Sequence, residues 1–219
     1  MTDVVAHLRT HPVLAIMRGV PAEHVTALGR ALLAGGVRSL EVAFTDGDAS
    51  DKIATLVAEF ADGTGDADVA VGAGTVTTRE RAEAAHAAGA TFLVTPHVAA
   101  SVNAFAREHA LPVLCGATTA GEIAQALEQG AAFIKLFPAG PLGPGYLRAL
   151  LGPYPDLEAF AVGGIGATNA RAFLEAGAIG LGVGGALTSL DWAAPDLDAV
   201  TALARELVEL VAITRKARG

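Results

Sequence analysis

Short runs of apolar residues recur along the chain, beginning near Val13, Ser39, Val69, Thr91, Val113, Phe133, Ala159 and Gly180. Pairs such as Leu93-Val94 and Phe133-Ile134 show little polar alternation. A strand without alternation is covered on both faces, the condition of a parallel sheet. Between the runs lie amphipathic helical patterns, as over residues 23–33, 79–88, 122–129 and 169–175. Many of these patterns stop at a glycine, at Gly35, Gly89, Gly130 and Gly177. Glycine just past the last turn accepts a left-handed backbone and ends a helix. Strand and helix alternating eight times predict an α/β fold, a (β/α)8 TIM barrel. An open doubly wound sheet shares the local pattern; eight regular units favour the closed barrel. A helix over residues 2–10 is expected to cap the barrel bottom, and residues 200–219 read as a final amphipathic helix. No Pro-, Gly- or Ser-rich linker or shift in composition interrupts the pattern, so residues 1–219 are expected to form a single domain.

Composition narrows the function classes. Of 219 residues, 52% are hydrophobic and 17% charged, which rules out disorder for most of the length. Aromatics make up only 5% and the formal net charge is −8, so nucleic acid is not an expected partner. The longest stretch without Asp, Glu, Lys or Arg, residues 84–106, contains His86, Pro96, His97 and Asn103 and reads as helix, strand and helix, not as a membrane span. The N-terminus lacks the basic flank and apolar core of a signal peptide. With one cysteine, Cys115, no intramolecular disulfide can form, and a cytoplasmic location is expected.

Barrel chemistry sits at the C-terminal ends of the strands, so polar residues there carry the information. The strongest is Lys135, in Ala-Ala-Phe-Ile-Lys-Leu-Phe-Pro at 131–138, a cation in an otherwise apolar strand and one of only three lysines, with Lys52 and Lys216. Period two puts Phe133, Lys135 and Phe137 on one face, aiming the amine into the barrel among aromatic neighbours. Desolvation favours the neutral amine, which can attack a carbonyl. Its complement is Glu41 in Ser39-Leu40-Glu41-Val42-Ala43, where small neighbours leave room beside the carboxylate. A carboxylate and an amine facing one cavity suit proton abstraction and Schiff-base formation. The competing reading is a plain Glu41–Lys135 salt bridge or another architectural pairing of the lysine.

Further candidates follow the strand ends. Arg18 closes the first strand with a fork that matches a carboxylate or phosphate, against the plainer reading of a rim arginine. Gly72-Ala73-Gly74-Thr75 closes the third and offers a hydroxyl; Thr95-Pro96-His97 closes the fourth. The cluster Gly163-Gly164-Ile165-Gly166 runs from the seventh strand into a helix with Thr168 as expected N-cap, and Gly182-Val183-Gly184-Gly185 ends the eighth. Exposed amides at these two places suit a phosphate. His7 and His11 are four apart but have no third ligand nearby, so no metal site is expected. Cys115 reads as a small buried packing residue at the end of the fifth strand.

Taken together, several segments resemble the 2-keto-3-deoxy-6-phosphogluconate and 4-hydroxy-2-oxoglutarate aldolases, including the 6-phosphogalactonate aldolases. They are Ala-Ile-Met-Arg-Gly, Gly-Gly-Val-Arg-Ser-Leu-Glu-Val, Val-Gly-Ala-Gly-Thr-Val, Phe-Leu-Val-Thr-Pro, Phe-Ile-Lys-Leu-Phe-Pro-Ala, Ala-Val-Gly-Gly-Ile and Gly-Val-Gly-Gly, in collinear order over residues 13–187. The resemblance implies a class I aldolase, a lyase of Entner–Doudoroff-type carbohydrate metabolism that needs no metal or cofactor. It implies Lys135 as Schiff-base nucleophile, Glu41 as acid/base, Arg18 and Thr75 holding the keto acid, and Pro96 and Phe137 lining its site. Gly163, Gly164, Gly184 and Gly185 would cradle a terminal phosphate, and the assembly would be a homotrimer. Two positions depart from the pattern: Thr45, followed by Asp46, stands where gluconate-type members carry arginine, and Gly185 stands where a serine is common. The segments at 142–150 and 160–164 look closer to the galactonate branch. Three alternatives stand beside this reading: the same mechanism on an unphosphorylated keto acid, a phosphosugar isomerase or synthase, and a non-catalytic phosphosugar-binding barrel.

Overall fold

The computed structural model of the chain describes residues 3–45, 47–61 and 68–217. Eight parallel strands close in sequence order into a barrel: β1 (Val13–Met17), β2 (Ser39–Ala43), β3 (Ala70–Gly74), β4 (Leu93–Val94), β5 (Val113–Ala117), β6 (Phe133–Leu136), β7 (Ala159–Val162) and β8 (Gly180–Val183), with β8 pairing back to β1. The helices are α1 (Val4–Thr10), α2 (Val25–Ala34), α3 (Ala49–Ala61), α4 (Arg79–Ala87), α5 (Ala100–Glu108), α6 (Ala120–Glu128), α7 (Ala139–Leu142), α8 (Pro144–Leu150), α9 (Ala170–Ala176), α10 (Gly185–Thr188) and α11 (Leu197–Lys216). A one-turn 3-10 segment, Ala22–His24, precedes α2. Among the described residues no helix is long and apolar enough to cross a membrane.

The expected strand positions agree with these to within two residues, and the (β/α)8 barrel is the observed architecture. The period of two along each strand sorts its side chains. Val13, Ala15 and Met17 of β1, Leu40 and Val42 of β2, and Ile134 and Leu136 of β6 face the helices in one large core. Leu14, Ile16, Val94, Leu114, Phe133, Phe160 and Val162 face the barrel axis in a second cluster, with Phe92 just before β4. Leu8 of α1 joins that inner cluster and is fully buried, so α1 plugs the bottom as its apolar face requires. Asp3 caps α1, accepting from the amides of Val5 and Ala6.

Two local expectations change. Cys115 lies in the middle of β5, not at its end, and is buried in the outer core. Thr168 does not cap α9; Asn169 holds that place, and its side chain closes the preceding loop instead. Its Oδ1 accepts from the Gly166 amide at 3.0 Å and its Nδ2 donates to the Gly164 carbonyl at 2.7 Å. Gly163 and Gly164 both have positive φ, and the tight turn they make needs a donor and an acceptor together, which an amide side chain supplies.

Candidate active site

Inside the barrel, the rings of Phe92, Phe133 and Phe160 form an apolar floor, and the polar residues lie above it on the C-terminal side of the strands. The ladder pairs Ile16 with Glu41 and Glu41 with Gly72, and it pairs Gly116 with Lys135 and Lys135 with Phe160. Alternation therefore turns Glu41 and Lys135 inward from strands on different sides of the barrel.

Lys135 is 4% exposed and Glu41 is fully buried. The Lys135 Nζ lies 5.2 Å from the centre of the Phe137 ring, the first side chain after β6. Both carboxylate oxygens of Glu41 are buried without a hydrogen-bond partner, so no hydrogen-bonded salt bridge joins the two residues. The sequence left that pairing open; in the structure the two make no hydrogen bond, although the charge of Lys135 acts on the Glu41 carboxyl. Burial pushes the Glu41 carboxyl up from the usual carboxylate range, while the charges of Lys135 and Arg18 pull it back. A carboxyl held above its ordinary value, with free lone pairs, is equipped to take and return a proton.

The space around Glu41 is made by β3. A β-carbon at Gly74 would overlap Oε1, Cδ and Cγ of Glu41, so the glycine exists to admit the carboxylate. Gly72, one inward position lower, admits the Phe92 ring in the same way. Of the glycines at 72–74, one serves the floor and one serves the site. Replacing Gly74 by alanine is expected to cost about 2–3 kcal/mol of stability through overpacking and to displace the carboxylate, measured as a lower urea midpoint together with lost activity.

Thr75 follows Gly74 with φ 57°, a left-handed backbone that a β-branched residue adopts only under constraint. Such a residue costs of order 1–3 kcal/mol and is kept where function needs its geometry. The Arg18 Nη2 donates to the Thr75 hydroxyl at 3.1 Å, bridging the ends of β1 and β3 across the strand that carries Glu41. Arg18 is exposed and Thr75 half-buried at the C-terminal ends of their strands, so the pair faces the mouth of the barrel. Pro96 follows β4, and its carbonyl lies where a β-carbon of Gly116 would stand, so Gly116 leaves the interior beside Lys135 to the Pro96 backbone.

At β7, Gly163 lies under the Phe137 ring; a β-carbon there would come within 2.9 Å of it. Its carbonyl accepts from the Gly140 amide at 2.8 Å. Gly164 is exposed, Gly184 is half-buried and Gly185 is exposed at the start of α10. Thr45 is exposed beyond β2, and Asp46 lies outside the described residues. His97 is exposed beyond Pro96, and its carbonyl accepts from Cys115 Sγ at 3.9 Å. The His7 and His11 rings are 4.9 Å apart at the barrel bottom, and among the described residues no group of three or more His, Cys, Asp or Glu could hold a metal. Thr118, at the end of β5, was not singled out from sequence, yet its hydroxyl donates to the Phe137 carbonyl at 2.6 Å. No motif of charge or spacing marks it, since threonine at a strand end is ordinary.

The closed eight-stranded parallel barrel thus brings a buried amine and a buried carboxylate without a hydrogen-bond partner to the C-terminal end of its strands. The family model for KDPG and KHG aldolase matches residues 4–203, and the chain belongs to that family. It is 35% identical over 214 residues to the 2-dehydro-3-deoxy-phosphogluconate aldolase of Treponema pallidum, covering 96% of this chain and 97% of that protein. It is 32% identical over 174 residues to the 2-dehydro-3-deoxy-6-phosphogalactonate aldolase of Escherichia coli, covering 79% and 82% of the two chains. Among solved structures it is similar to the KDPG aldolase of Legionella pneumophila with pyruvate captured as a covalent carbinolamine. That match has a TM-score of 0.76 and 26% identity, over 97% of this chain and 98% of the other.

Proposed function

We propose that residues 1–219 act as one class I aldolase barrel that cleaves a 2-keto-3-deoxy-6-phospho sugar acid, of gluconate or galactonate type, or 4-hydroxy-2-oxoglutarate, to pyruvate and an aldehyde. The observation that carries this reading is the buried Lys135 amine against the Phe137 ring, sharing the barrel mouth with a Glu41 carboxylate that no hydrogen bond occupies. The Lys135 amine adds to the C2 ketone, and loss of water gives the iminium. Glu41, directly or through one water, takes the C4 hydroxyl proton. The C3–C4 bonding pair moves into the iminium to leave an enamine as the aldehyde departs. Protonation at C3 and hydrolysis then release pyruvate and restore the amine. The chemistry runs on the amine, and the reading assigns no metal or cofactor.

Arg18 and Thr75 are assigned the keto-acid carboxylate, supported by their hydrogen-bonded pairing at the mouth and by the strained backbone of Thr75. Pro96 and Phe137 are assigned its apolar flanks. Gly163, Gly164, Gly184 and Gly185 are assigned the terminal phosphate, supported by their partial or full exposure at the ends of β7 and β8. Thr45 offers no cation and Gly185 no hydroxyl, which makes the unphosphorylated acids the informative controls. A lactate-dehydrogenase-coupled assay over both sugar-acid epimers, 4-hydroxy-2-oxoglutarate and unphosphorylated keto acids is expected to show pyruvate release. Ligand binding without pyruvate from any of them overturns the reading in favour of a sensing barrel. On the family resemblance the assembly is a cytoplasmic homotrimer, to be read by sedimentation equilibrium as three times the 22.0 kDa of the chain; a monomer mass refutes it.

A further inference from the structure

Among the described residues no hydrogen bond or ion pair orients the Lys135 amine, and its Nζ lies 5.2 Å from the centre of the Phe137 ring, within cation–π range. That ring is 37% exposed, and burial alone does not fix it. Its backbone is fixed instead. The Phe137 carbonyl accepts the Thr118 hydroxyl at 2.6 Å, and its amide reaches the Ala117 carbonyl at a long 3.4 Å. Gly163 lies against the ring from β7.

Thr118 is itself clamped on every polar group. Its amide donates to Glu122 Oε2 at 2.9 Å, and its carbonyl accepts the Tyr146 hydroxyl at 2.9 Å. Glu122 also takes the Thr119 amide at 2.7 Å in the capping box of α6, and these amides hold its carboxyl below the usual range. The sheet has no need of this arrangement. The β5–β6 ladder already runs from Leu114–Phe133 to Ala117–Leu136, and the Thr118 hydroxyl acts one residue beyond its end. What the extra bond secures is the residue whose ring meets the reactive nitrogen.

We propose that Thr118 is a positioning residue of the aldol reaction: its hydroxyl, anchored between Glu122 and Tyr146, sets the Phe137 ring that confines the Lys135 amine in its attacking position. This rests on the reading of Lys135 as nucleophile. Thr118 need not touch substrate. A reacting atom released by an ångström loses one to two orders of magnitude in rate while substrate binding is largely kept.

The test is the rate of borohydride trapping of pyruvate on Lys135, followed by intact mass and normalised to folded protein. In Thr118→Val the rate at saturating pyruvate is expected to fall about tenfold, with the half-saturating pyruvate concentration within about twofold of the parent. Thr118→Ser, which restores the hydroxyl, is expected to recover most of the loss. Tyr146→Phe, which frees the Thr118 carbonyl, is expected to slow trapping about threefold and serves if Thr118→Val does not fold. Parental rates in Thr118→Val, or in Tyr146→Phe where the valine variant is unfolded, overturn the proposal. So does equal loss in the valine and serine variants. If the parent protein itself is not trapped, the nucleophile reading fails first, and that outcome is distinct from the others.

Discussion

Lys135→Met is expected to abolish pyruvate release, by about 10⁴-fold or more, while the barrel stays folded. Neither of the other two lysines can take over. Lys52 is buried in α3 and paired with Asp48 at 2.7 Å, and Lys216 ends α11, at the far side of the barrel beside His11 and Arg38. Methionine fills a similar volume, and exchanging a buried ammonium for an apolar chain is neutral or stabilising when the charge is not left uncompensated. The charge at risk is Glu41, whose carboxyl Lys135 holds down; without the lysine it rises further and is accommodated as the neutral acid. Borohydride and pyruvate should then leave the mass of the variant unchanged, and thermal unfolding should remain cooperative at or above the parent midpoint. Activity above about 1% of the parent in a folded variant would remove Lys135 from the mechanism.

Glu41→Gln separates the two halves of the reaction. Removing a general base of this kind costs about 10²–10⁴-fold in turnover. Imine formation with pyruvate needs no proton taken from a C4 hydroxyl, so borohydride trapping should persist. Full turnover in the variant refutes the assignment. The same substitution has a signature in stability. The Glu41 carboxyl is raised in the folded state, chiefly by burial, from its ordinary value of 4.5. The folded protein therefore holds this proton more tightly than the unfolded chain does. The resulting stabilisation is present below the unfolded pKa and is lost as pH rises through the folded one. Glutamine carries no such charge. The melting temperature of Glu41→Gln relative to the parent should increase as pH climbs from about 4.5, then level off above the folded pKa. A difference independent of pH would mean that the carboxyl titrates normally despite its burial.

That Lys135 and Glu41 face the barrel interior could be read from the chain because strand alternation is local. Once β6 is a strand, Lys135 must share the face of Phe133, and once β2 is a strand, Glu41 must lie opposite Leu40 and Val42. Eight evenly spaced apolar runs, ended by helix-stopping glycines, likewise leave few folds besides the closed barrel. These conclusions need only the backbone period and the cost of burying charge in an apolar strand.

What barrel closure decided involves residues far apart in sequence, whose side-chain contacts no local pattern encodes. The Arg18–Thr75 bond spans 57 positions, the Thr118–Phe137 bond 19 and the Tyr146–Thr118 bond 28. The same holds for Gly74, which closes the third strand in the sequence and makes the space for Glu41 in the fold, and for the left-handed backbone of Thr75, invisible in a residue type that avoids it. The choice between a salt bridge and two separate groups also belonged to the tertiary structure. It depends on where two strands on different sides of the barrel set their side chains, and only the closed ring of eight strands fixes that placement. The chain by itself determined which polar residues face the barrel interior; the closed barrel decided how each is held.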